Sequence, residues 1–289
     1  LTMADMTALD SPPKLAEGGP AARVILPDVV LKSAVQLYDG ATVFLDPADS
    51  MLAKSDGASG NPMWIARGVA CDEILGNGVL RPHLTVGPHV RKNSATSGET
   101  IPATLPIGWP VYAKDNQTAS LTDGGGLYPL LGYFAGMTGD STGLPIVWIG
   151  GGCPFAITEI AVPVELAHGD LDAAATTQDF TLYTTPGPVV VLGPGAVRSL
   201  TVWSGGTVSA ATLAIGADSD PDAIMDEIDI FTGATAAPKV GVAGVLGFVG
   251  APLAAGTVIK ARVAATGDNV VNFAAGALVA GIRLKPGSR

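Results

Sequence analysis

The residues best placed to do chemistry are the acidic run from Asp218 to Asp229, which reads Asp-Ser-Asp-Pro-Asp-Ala-Ile-Met-Asp-Glu-Ile-Asp. Carboxylates at alternating positions can converge on a hard cation such as calcium, and Asp218, Asp220, Asp222, Asp226 and Asp229 fall at EF-hand-like offsets. The match fails where such a loop is least tolerant. Ala223 stands where the sixth position needs Gly, Pro221 stiffens the backbone, and Asp229 is shorter than the bidentate Glu it would replace. The preferred reading makes Asp220 the cap of a short helix with Pro221 at its first position, the acidic side chains favouring the helix dipole. No metal or cofactor is expected, and Asp218, Asp220 and Asp222 stand only as weak metal candidates.

Catalysis has little support. The three histidines, His83, His89 and His168, would each need a nucleophile and an orienting carboxylate, and Ser94, Ser97 and Asp170 supply these by residue type alone. There is no G-x-S-x-G elbow, no H-E-x-x-H and no phosphate loop. A polysaccharide depolymerase could hold two carboxylates in a β-fold without a local motif, but no catalytic residue is assigned and no enzyme is expected.

The 289 residues carry 16 Lys and Arg against 26 Asp and Glu, a net charge of −10. That balance argues against a nucleic-acid partner, which needs clustered cations to neutralise phosphates. His89, Arg91 and Lys92, with Arg81 nearby, form the densest basic group; a solvated loop is the preferred reading, a patch for an acidic neighbour the sharper one. Cys71 and Cys153 are too few for a secreted disulfide scaffold, so two free thiols in a reducing cytoplasm are expected. No apolar run approaches the roughly 20 residues of a membrane span and no basic-then-apolar leader opens the sequence, so a soluble chain without membrane insertion is expected.

Aromatic residues make up only 6% and the apolar content is mostly Ala and Val beside 38 Gly and 22 Pro, which favours short strands and many turns over long helices. An all-β chain is expected. Residues 1–22, with Ser11-Pro12-Pro13, read as an extended N-terminal arm. Strands are expected at Arg23–Leu26, Val29–Leu31, Ala41–Leu45 and Met63–Ala70, and again between Ile101 and Gly150. Together they suffice for a small β-barrel over 23–152. Trp64 and Trp109 are expected in its core or at a subunit interface. Gly150-Gly151-Gly152-Cys153-Pro154 closes it, and 153–178 reads as a linker. Over 179–289, strands at Phe180–Tyr183, Val189–Leu192, Val197–Trp203, Ala211–Gly216, Val258–Val263 and Gly281–Leu284 predict an antiparallel β-sandwich, with Lys260 and Arg262 on one polar face.

Within Ile101–Gly150 the strand order is specific. Gly108-Trp109-Pro110-Val111-Tyr112-Ala113 is followed by the turn Lys114-Asp115-Asn116, then Thr118–Thr122, then the turn Asp123-Gly124-Gly125-Gly126, then Leu131–Gly136 and Ile146–Ile149. This pattern resembles the small β-barrel of bacteriophage head-decoration proteins, over 101–150 and more faintly back to Ala41. In the second half, Ala211–Gly216 with the acidic segment after it, and the ending Leu284-Lys285-Pro286, resemble jelly-roll-like modules of phage head and tail fibres. The resemblance implies a structural protein of a virion, assembled in the host cytoplasm and placed on the capsid surface. As a homotrimer it would clamp neighbouring subunits of the major capsid protein. The alternative is a head-fibre or spike module that binds a host-surface carbohydrate or receptor, for which Phe180, Tyr183, Trp203, Phe231, Phe248 and Phe273 are the available rings.

Overall fold

Val, Ile and Thr lose side-chain freedom in a helix but pack well on a pleated surface, and frequent Gly and Pro keep each run short. The fold follows that balance. A computed structural model describes residues 22–25, 29–54, 63–71, 73–150, 153–193, 196–217, 220–231, 239–240 and 252–287. Among them every regular element is a β-strand except two single-turn 3-10 segments, His168–Asp170 and Val270–Asn272. The chain divides into two units, Leu1–Ile157 and Thr158–Arg289.

The first unit contains β1 (Ala22–Ile25), β2 (Gln36–Leu37), β3 (Thr42–Asp46), β4 (Met51–Lys54), β5 (Ile65–Ala70), β6 (Ile74–Leu75), β7 (His83–Val90), β8 (Lys92–Asn93), β9 (Pro110–Ala113), β10 (Thr118–Ser120), β11 (Leu130–Met137) and β12 (Pro145–Ile149). Its main sheet runs β4-β3-β5-β7-β12-β11-β9-β10-β8 with β1 against β7, while β2 and β6 pair separately. A parallel bridge from Leu130 to Ile65 also joins β11 to β5, so β5, β7, β12 and β11 form a closed circuit. Closure leaves these four strands no long free edge. Leu31, Leu37, Val43, Leu52, Ala70 and Leu84 form one buried cluster, and Trp109, Phe134, Val147 and Ile149 are buried as well.

The turns form as their residues require. Asp115 Oδ1 accepts the N–H groups of Gln117 and Thr118 at 2.8 and 2.7 Å, which fixes the β9–β10 reversal. After β10, Gly124, Gly125 and Gly126 take φ of 63°, 71° and 90° in succession, a left-handed path that side chains disfavour. The Asp123 carbonyl closes that turn by accepting the N–H groups of Leu127 and Tyr128.

The second unit contains β13 (Ile160–Ala167), β14 (Thr177–Thr184), β15 (Val189–Val191), β16 (Ala196–Ser204), β17 (Ala210–Ala217), β18 (Asp220–Asp229), β19 (Lys239–Val240), β20 (Pro252–Leu253), β21 (Val258–Thr266) and β22 (Ala275–Pro286). They make two sheets, β19-β16-β22-β15-β20 with β13 on β22, and β14-β21-β17-β18, and every pairing is antiparallel. Alternation governs both. Ile259, Ala261, Val263 and Ala265 are buried on β21 while Lys260 and Arg262 point the other way, as expected. On β22 the buried set is Leu278, Ala280, Ile282 and Leu284. Gly276 of β22 lies against the Trp203 ring, where any side chain would collide with the indole.

Several expectations need correction. The segment 153–178 is not a linker: β13 pairs with β22 from Ile160↔Leu284 to Ala167↔Ala277, and the second unit begins at Thr158 rather than 179. Its apolar and polar alternation is that of a strand with one buried face, carried by Val162 and Leu166. Val29–Leu31 is no strand, only Leu31 bridging to Leu52. The expected arm at 1–22 lies outside the described residues except for Ala22, which opens β1. Asp220 caps no helix, because Asp220–Asp229 is strand β18 at the edge of its sheet. Pro221 is tolerated there because an edge strand has one side free of ladder bonds, and burial of Ala223, Ile224 and Met225 outweighs local helix chemistry.

Candidate functional site

The richest convergence of polar side chains lies in the first unit, where the turn after β9 faces the loop after β8. Lys114 Nζ donates to Glu99 Oε2 at 2.8 Å, to Thr96 Oγ1 at 2.5 Å and to Ser94 Oγ at 3.2 Å. Ser94 donates its only hydroxyl proton to Glu99 Oε2 at 2.8 Å, and the Tyr128 hydroxyl reaches Glu99 Oε1 at 3.4 Å. The backbone holds the loop in place: Ser94 N–H donates to the Ala119 carbonyl and Leu121 N–H to that of Glu99.

Ser94 beside Lys114 has the spacing of a nucleophile and its base, but the electrostatics run the other way. The hydrogen bond to Glu99 raises the Lys114 pKa above its ordinary value, so the ammonium keeps its proton. Burial pushes Glu99 up, yet its bonds from Lys114 and Ser94 outweigh this and hold it below the usual carboxylate range. A general base must be able to shed its proton near working pH. This group is a partly buried ion-pair clamp that ties β8, β9 and the Asp123 turn together.

The other candidates do not converge. Asp220 and Asp222 share a hydrogen bond that raises the Asp220 pKa, as two neighbouring carboxyls resist double ionisation, while Asp218 lies outside the described residues. No group of three or more His, Cys, Asp or Glu placed to hold a metal occurs among the described residues. His83 is exposed on β7, His168 sits in a 3-10 turn, and Asp170 accepts the Ala167 N–H at 2.7 Å. Cys71 and Cys153 are free thiols.

The basic group is neither a solvated loop nor a surface patch at its centre. His89 and Arg91 are 2% and 1% exposed, with only Lys92 and Arg81 at the surface. Burial, helped by the nearby Arg91 charge, pushes the His89 pKa down to about 3. Sequence reasoning missed this interior because Val90 is flanked by two residues that usually face water; the available signal was their i, i+2 spacing, which places both on one face of a strand.

Among the tryptophans, Trp109 is fully buried as expected and Trp64 is half-buried against Phe44 with ring centroids 6.3 Å apart. In the second unit, Trp203 and Phe273 pack edge to face at 5.2 Å inside the core. Phe180, Tyr183 and Phe231 are half-buried, and Phe248 lies outside the described residues. No helix among the described residues is long and apolar enough to cross a membrane. Comparison of the chain with protein-family models, with curated proteins and with solved structures finds no match.

Proposed function

We propose that this protein is a structural component on the outer surface of a tailed-phage or phage-like head, where it clamps neighbouring major-capsid subunits. The observation that carries the reading is an apolar surface where the strand circuit of the first unit closes. Ile65 and Leu130, direct partners across the β5–β11 bridge, are 48% and 37% exposed, and Met63, in the turn just before β5, is 67% exposed. Exposed apolar side chains grouped on a rigid scaffold fit a contact surface, and the Lys114 clamp fixes a loop without providing a base. The function is then contact rather than turnover. A decorator that binds only the expanded shell stabilises that shell by its binding free energy, multiplied over many copies. Self-association as a trimer would set several such surfaces around one symmetry axis. The fibre or spike alternative has less support, because two of its ring candidates, Trp203 and Phe273, are buried.

The test is co-sedimentation of the full chain with expanded heads stripped of accessory proteins, beside unexpanded heads as control. Attachment to expanded heads, lost in an Ile65→Glu, Leu130→Glu variant of unchanged melting temperature, is the expected result. Equal attachment by the variant, or none by the wild type to either head, would overturn the proposal.

A further inference from the structure

Arg91 follows directly on β7 and is buried. Its Nη1 donates to the Val90 carbonyl at 3.3 Å, but Nε and Nη2, both shielded from solvent, have no partner. These two nitrogens form the side-on fork of a guanidinium, whose parallel N–H bonds match the two oxygens of a carboxylate. Elsewhere in the chain the same fork is filled: Arg262 donates from Nε to Asp179 Oδ1 at 2.6 Å and from Nη2 to Asp179 Oδ2 at 2.9 Å. The half-buried arginine has its carboxylate and the fully buried one does not.

Among the described residues Arg91 makes no ion pair. Asp115 is the neighbouring charge that favours its cation, but the two form no ion pair, and Asp115 Oδ1 accepts the two turn N–H groups instead. Burial pushes the Arg91 pKa down to about 9, which leaves it charged at neutral pH. A second orphan lies on the flank of the same turn. Thr42 Oγ1 is buried without a partner, and Thr42 N–H and Lys92 N–H bond the adjacent carbonyls of Asn116 and Gln117, so Thr42 and the Arg91-Lys92 step flank one turn. A buried cation with two orphan donors is strongly unfavourable, whereas a counterion on the fork would satisfy both.

We propose that this end of the N-terminal barrel binds a small monovalent anion, chloride or a free carboxylate the size of formate, on Nε and Nη2 of Arg91. The single positive charge and the enclosed fork select against divalent oxyanions, whose second charge would be buried unpaired. The Thr42 hydroxyl is a further donor on the flank of the same turn.

The test is thermal unfolding of the full chain at constant ionic strength in sodium chloride, sodium formate or sodium gluconate, the last anion being too large to enter. The melting temperature is expected to rise by about 3–5 °C for each tenfold increase of the binding anion above its dissociation constant, and not with gluconate. A response to chloride alone assigns a halide site, and a stronger response to formate a carboxylate site. Arg91→Met should be indifferent to the salt, while Arg262→Met, which removes the other fork, should respond as wild type. If Arg91→Met does not fold, chloride NMR line broadening by the wild-type protein, relieved by formate, decides the same question. Identical melting in all three salts without excess broadening, or an undiminished response in Arg91→Met, would overturn the site.

Discussion

The two units of this chain build their interiors from different materials. The first buries nine polar or charged side chains among the described residues, including His89, Arg91, Asn116 and Asp123, whereas the second buries two, Thr185 and Thr257. The apolar core of the second is non-directional, so alternation along its strands is enough to specify it. The polar interior of the first depends on particular partners at particular distances, and leaving one group unpaired costs more than its bond contributes. The first unit should therefore be sensitive to pH and to single polar substitutions, and the second to lost volume.

The largest expected effect is acid sensitivity through His89, whose folded-state pKa of about 3 lies below its ordinary 6.5. Over that window only the unfolded chain takes up the proton, so stability is full above about pH 6.5 and falls as pH drops towards 3. The loss should be roughly 3–5 kcal/mol. Urea midpoints across the range, compared with His89→Leu, isolate this share; identical slopes in the two proteins would break the comparison.

Volume loss in the second unit comes next. Trp203→Ala removes a fully buried indole and its contact with Phe273, at a cost of about 3–5 kcal/mol with little pH dependence between 4 and 7. Denaturant unfolding at both pH values checks each part.

A smaller effect is expected at the clamp. Lys114→Met strips Glu99 and Ser94 of their donor and should cost about 1–3 kcal/mol, and a further Glu99→Leu should recover part of it, because the stranded carboxylate carries much of the penalty. A double-mutant cycle measures the coupling; simple additivity would mean the clamp does not act as a unit. The smallest effect belongs to the cross-strand pair Asp179–Arg262, about one-third exposed on both sides, where Asp179→Asn should cost only about 0.2–1 kcal/mol, and less at high salt.

The sequence by itself determined the all-β class, the strands from Pro110 to Ile149 with their Asp and Gly turns, and the regular strands of the second half. Each of these rests on local chemistry, either side-chain alternation or a turn residue that its backbone demands. Tertiary structure decided the rest. Asp220-Pro221-Asp222 looks locally like a helix start, yet pairing with β17 and burial of Ala223, Ile224 and Met225 make it an edge strand. Residues 160–167 look like a bridge until β22, more than a hundred positions later, supplies their ladder. His83–Val90, interrupted by Gly87-Pro88, becomes a strand because β5 and β12 flank it, and that enclosure draws His89 and Arg91 inside. Burial of a charge depends on what surrounds it from distant parts of the chain, and no local pattern records that.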